Sequence, residues 1–183
     1  MNQRINTVFL LPLVLTLSMM SFTGCATLSP RSIADVPAIN VEKVKMPVLK
    51  NIPGNQLNLN VMDNRDSMYR QNTEALQKEL RRVITQSLKS KGITVNPSSK
   101  NSLLISVQEQ KVGDYKDGCV KINGMLAIPD VANVYSDATS CFEMKSPVST
   151  VSMGSDINES YEMALSAVFQ SFGTNLQKLN PKK

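Results

Sequence analysis

Three cysteines carry the most distinctive chemistry in this 183-residue chain: Cys25, Cys119 and Cys141. A thiol can take an acyl chain, form a disulfide, bind a soft metal or act as a nucleophile. The last two roles commonly enlist an imidazole, and the sequence contains no histidine. That removes Ser-His and Cys-His nucleophile pairs, imidazole zinc ligands and the neutral-pH imidazole acid or base. Histidine-free routes through Ser, Tyr, Lys and Asp remain, but neither S-x-x-K nor G-x-S-x-G occurs. Two carboxylates could hydrolyse a glycan, yet spacing alone places no such pair. Asp63-Asn64-Arg65-Asp66 lacks the glycine and distal glutamate of a calcium loop, so Asp63 and Asp66 read as turn and cap residues. The side chains point away from an enzyme and call for no metal and no cofactor.

The setting of Cys25 is informative. Arg4 gives a positive start, Val8 to Leu17 is an apolar run broken by Pro12 and Thr16, and Ser18 to Gly24 are small or apolar. The run is too short for an ordinary membrane-spanning helix, so residues 1–24 read as a secretory signal peptide. Phe22-Thr23-Gly24-Cys25 at its end resembles the bacterial lipobox, with Phe22 where Leu is usual. That resemblance implies cleavage before Cys25, acylation of its thiol and new amine by palmitate-like chains, and a lipid-anchored mature protein. An uncleaved anchor would instead leave Cys25 an ordinary thiol. Ala26, rather than Asp, follows the cysteine. In enterobacterial lipoproteins this implies sorting to the outer membrane, and the expected orientation is towards the periplasm.

Cleavage removes Arg4 and no acid, leaving 19 basic against 15 acidic residues, a formal +4 from the full chain's +5. The charges are interspersed, as on a solvated surface, and no nucleic-acid motif is present. An even remainder of two cysteines in an oxidising compartment reads as a disulfide. Cys119–Ile128 and Tyr135–Met144 have strand character, with the turn signal Pro129-Asp130 between them. A hairpin centred on Asp130 sets Cys119 opposite Cys141, since both are equally far from it in sequence. Opposed side chains approach to within about 4.5–5.5 Å, near bridging distance.

The elements that must position these residues follow from periodicity. Residues 25–38 contain Pro30, Pro37, Ser29 and Ser32 and read as a flexible tether. Residues 39–183 read as a single domain, with 42 % apolar residues in the whole chain to supply a core. Ile39 to Leu49 alternates imperfectly and is expected as a short strand. Leu57, Leu59 and Val61 alternate with asparagines, a half-buried strand. Gln71 to Lys91 carries Ala75, Leu76, Leu80, Val83, Ile84 and Leu88 on one helical face, with Gly92 as its stop. Ile93-Thr94-Val95 is a short strand, and Leu103 to Val107 a central one. Gly113 to Gly118 reads as an exposed turn, and Val148 to Met153 as a last strand. Ile157 to Leu179 is a second amphipathic helix, opened by a capping box of Asp156 and Glu159. The expected fold is α+β: a mainly antiparallel sheet with two amphipathic helices on one face, in two layers.

FTGC, NLNVMDNRD, the helix ending LKSKGITV, LLISVQEQ and GSDINESYEMALSAVFQSF together resemble the YajG family of enterobacterial outer-membrane lipoproteins. The likeness covers most of residues 50–180. The chain is more distantly similar to envelope lipoproteins with a TolB amino-terminal-like layer, which serve in export, secretion or cell-wall machines. KVGDYKDGCVKINGML also resembles a strand-turn-strand of auxiliary lipoproteins in lipid-trafficking ABC systems. These resemblances imply an envelope protein partner and carry over no catalytic residue. The sequence therefore describes a non-enzymatic, membrane-tethered interaction or assembly module. The alternative is an auxiliary lipoprotein of a lipid-trafficking or export system.

Overall fold

The computed structural model describes residues 36–67, 70, 72–112, 117–143 and 150–179. The expected signal peptide, Cys25, nearly all of the expected tether and most of the expected 113–118 turn lie outside these residues. The chain forms β1 (Gln56–Asp63), α1 (Thr73–Ser90), β2 (Thr94–Val95), β3 (Ser102–Val112), β4 (Asp117–Ile128), β5 (Ala132–Glu143) and α2 (Thr150–Leu179). The strands make one sheet in the order β2-β1-β3-β4-β5. β1 runs parallel to both of its neighbours, whereas β3, β4 and β5 form an antiparallel meander. The fold is α+β with both helices packed against the sheet, as the periodicity implied, and its mixed character comes from the helical crossover between β1 and β2.

Period-2 alternation explains the buried face. Leu59 pairs with Leu103, and Leu103 with Leu126, which pairs with Val134. All four are buried. The adjacent row joins Val61, Ile105, Gly124 and Ser136. Into this face α1 inserts Leu76, Leu80, Val83, Ile84 and Leu88, and α2 inserts Ile157, Tyr161, Leu165, Val168, Phe169 and Phe172. Full burial of each large apolar side chain contributes about 1.5–3 kcal/mol. α2 lies close over Gly124: a Cβ there would stand 2.6 Å from both Phe172 Cζ and Val168 Cγ1. α1 ends in a Schellman motif, with Gly92 at φ +77°, Gly92 N–H on Lys89 O and Ile93 N–H on Leu88 O.

Three expectations need correction. Ile39–Leu49 is not a strand. It is an extended segment with a short 3₁₀ turn at Val41–Lys43, laid across the helices. Pro37, Ile39, Val44, Met46, Leu49 and Ile52 are buried. Side chains of the helices, not a neighbouring strand, satisfy its backbone. Ala38 N–H donates to Asn158 Oδ1, Ile39 N–H to Glu79 Oε1, Asn40 N–H to Glu162 Oε1 and Lys45 N–H to Ser166 Oγ. Arg82 Nη2 donates to Ile39 O. Its apolar residues follow the groove between two helices, so their alternation is irregular. Pro37, inside the stretch expected to be tether, is already packed. Second, the described part of Val148–Met153 is helical, because α2 starts at Thr150. Once a helix is nucleated each added residue gains a hydrogen bond, which outweighs a brief alternation. Third, Asp156 and Glu159 therefore lie within α2 and do not cap it.

Candidate functional site

The β4–β5 hairpin has the register read from its turn: Cys119 lies opposite Cys141, and Ile128 opposite Ala132. A disulfide joins Cys119 to Cys141. Parity explains which face carries it. Val120, Ile122, Leu126 and Ile128 point to the helices, so Cys119 and Cys141 stand on the opposite, open face. The bond thus ties the hairpin without entering the core. Its reduction is expected to leave the domain folded while lowering stability by about 3 kcal/mol, the chain-entropy value for a loop of this size. Thiol labelling under denaturing, non-reducing conditions checks the pairing in protein from the periplasm. Two labelled residues among Cys119 and Cys141 would overturn it.

The open face mixes polar and apolar side chains. One row across it reads Asn60, Leu104, Met125, Tyr135, and the next reads Met62, Ser106, Asn123, Asp137. Tyr135 is 71 % exposed. A cleft of about 370 Å³ opens at one end of the sheet, between the β4–β5 turn and the loop before β3. Gln56, Ser99, Lys100, Asn101 and Asp130 line it together with Pro53 and Pro129.

A constellation that residue spacing did not reveal lies inside the fold, at the carboxyl end of β1. Asp63 was expected as a turn residue, and it does accept Arg65 N–H on Oδ1, as an Asx turn requires. It is also buried, at 6 % exposure, against an equally buried Arg65. The guanidinium grips the carboxylate through both oxygens, with Nε on Oδ1 at 2.8 Å and Nη2 on Oδ2 at 2.9 Å. Thr73 Oγ1, at the start of α1, donates to Oδ2 at 2.8 Å. Arg65 Nη1 donates to Gln110 Oε1 at 3.0 Å, and the Tyr161 hydroxyl of α2 donates to the same oxygen at 2.7 Å. Arg70 Nε and Nη2 cap Arg65 O.

A β-bulge makes this possible. Inward parity on β3 runs through Leu103, Ile105 and Val107, then shifts between Val107 and Glu109. Gln110, opposite the buried Val120, consequently faces the helices. Burial opposes the Asp63 charge, but its hydrogen bonds from Arg65 and Thr73 win and hold the carboxyl below its ordinary value. Burial pushes the Tyr161 hydroxyl well above its ordinary value, and the Asp63 charge adds to this while Arg65 opposes it. Tyr161 thus remains a neutral donor at physiological pH. The cluster joins β1, β3, α1 and α2, with Asp63, Arg65 and Tyr161 buried and Thr73 and Gln110 half-buried, and so ties four elements together. Its members are separated by up to 51 residues per contact, as between Gln110 and Tyr161, and no local motif announces them.

Among the described residues no helix is long and apolar enough to cross a membrane. No family model matches the chain, and no curated protein matches it. Several solved structures are similar to it. A Xanthomonas campestris protein of the DUF330 family superposes with TM-score 0.45 at 14 % identity, over 73 % of this chain and 91 % of that one. A lipoprotein from Neisseria meningitidis gives 0.38 at 9 %, over 55 % and 90 %. A minor lipoprotein from Acinetobacter baumannii gives 0.36 at 10 %, over 68 % and 91 %. With TM-scores below 0.5, no role passes from these proteins to this chain.

Proposed function

We propose that this chain is a bacterial envelope lipoprotein, anchored through acylated Cys25 in the outer membrane and facing the periplasm. Its folded domain acts as a non-enzymatic interaction or assembly module. The observation that carries the anchor is the order of Arg4, the Val8–Leu17 apolar run and Phe22-Thr23-Gly24-Cys25. The interior supports a non-enzymatic role. Asp63, Arg65 and Tyr161 are committed to one another and to the fold, whereas the open sheet face offers solvent a broad surface for protein contact. Ala26 directs the sorting expectation. On a density gradient of native membranes the protein is expected to sediment with outer-membrane markers, and accumulation with inner-membrane markers would overturn that placement.

A further inference from the structure

The two edges of the sheet are treated differently. The β2 edge is two residues long and is followed by Asn96-Pro97. Such brevity, next to a proline, is how natural sheets avoid unwanted pairing. The β5 edge is twelve residues long. It contains no proline, lysine or arginine. Its register with β4 is continuous from Asp117–Glu143 to Ile128–Ala132, with no bulge. Among the described residues no strand lies beyond β5 in the sheet. Its outward N–H and C=O groups form a template for another strand, because main-chain groups are obligatory hydrogen-bonding partners.

We infer that the outer edge of β5 pairs antiparallel with β5 of a second copy of this chain, joining two sheets across a two-fold axis. This inference rests on the interaction-module reading and names its surface and its partner. Charge and parity favour a second copy. Opposed residues of an antiparallel pair share a face, so odd positions must meet odd ones for the two open faces to align. A register centred on Asp137 would oppose like charges and is disfavoured. A register centred on Tyr135 sets the two tyrosines together and places each Asp137 opposite Asn133 of the other copy. Asn133, Tyr135 and Asp137 are all exposed. On the helix side, under α2, this register opposes Ala132 to Ala138 and Val134 to Ser136, all small or medium-sized groups. The chain itself thus supplies an amide, Asn133, opposite Asp137 and brings no two like charges together in this register. The arrangement is isologous, the symmetry that closes a dimer.

Photo-crosslinking of the full-length protein in native membranes tests this. A benzophenone side chain at Tyr135 or Asn133 is expected to give an adduct of twice the chain's mass. Mass spectrometry of the adduct should find two β5 peptides, with Asn133 joined near Asp137 of the other copy. The same probe at the exposed Gln170 of α2 should give no such adduct. With the probe at Asn133, Tyr135→Lys should abolish the adduct by opposing two lysines at the axis, while the circular-dichroism spectrum of the folded domain is retained and the melting temperature falls only by the lost contribution of self-association. No adduct, or an adduct with a different protein, overturns self-pairing. The second result would leave the interaction-module reading standing, and acyl labelling of Cys25 reports on the anchor separately.

Discussion

Cys25→Ser protein is expected to lose acyl labelling completely and to leave the membrane fraction. The effect should be all-or-none because the proposed anchor is covalent. Each buried methylene is worth about 0.8 kcal/mol, and one chain alone gives only marginal, reversible binding. The lipobox resemblance implies several chains on one residue, enough for stable attachment. The folded domain offers no substitute span, since among its described residues no helix is long and apolar enough to cross a bilayer. The formal +4 of the mature chain is interspersed and screened within about 8 Å at physiological salt. Electrostatics should therefore not retain the variant. Metabolic labelling with an acyl-chain probe, read alongside ultracentrifugation, decides the matter. Continued labelling of the serine variant would place the anchor elsewhere.

The largest stability loss from one substitution is expected at Asp63. Asp63→Ala removes the carboxylate that meets Arg65 Nε and Nη2 and leaves Thr73 without its acceptor. Breaking a buried, hydrogen-bonded ion pair by removing one partner costs about 3–5 kcal/mol. By contrast, Asp63→Leu with Arg65→Met removes both charges, and replacing a buried pair by apolar residues is often neutral. The double variant should therefore be more stable than Asp63→Ala alone, a non-additivity that urea unfolding measures directly. The same contact sets an acid response. The folded carboxyl titrates below its ordinary value, so its stabilisation is present above the ordinary Asp pKa of about 4. That stabilisation is lost as pH falls through the lower, folded value, where the folded state must take up the proton. Wild-type stability should drop in this acidic window more steeply than that of the Leu/Met variant. Equal slopes would show that Asp63 is not the group responsible.

The open-face disulfide and the Asp63 cluster also show different degrees of legibility. Cys119 and Cys141 could be paired from the chain because a hairpin is local. Its turn at Pro129-Asp130 sets the register of every later pair, and period-2 alternation then sets their face. The α1 stop at Gly92, the stripes of α1 and α2 and the central place of β3 were legible for the same reason. Each depends on neighbours within a turn or a strand, where sterics and hydrogen-bond geometry act over a few residues.

Other features required the assembled molecule. Ile39–Leu49 has strand-like composition, but the groove between α1 and α2 and the acceptors on Glu79, Glu162 and Ser166 decide its path. Asp63 and Arg65 adjoin in sequence, yet their burial depends on Thr73, Gln110 and Tyr161 arriving from three other elements. Gln110 faces inward only because the bulge after Val107 shifts the parity of β3. Sequence alone determined the hairpin register and the two helical faces, because those follow from local order and period. Tertiary structure alone decided which polar groups are buried together and which edge of the sheet is left open. Those outcomes depend on desolvation and packing between segments far apart in the chain, which no short window of residues contains.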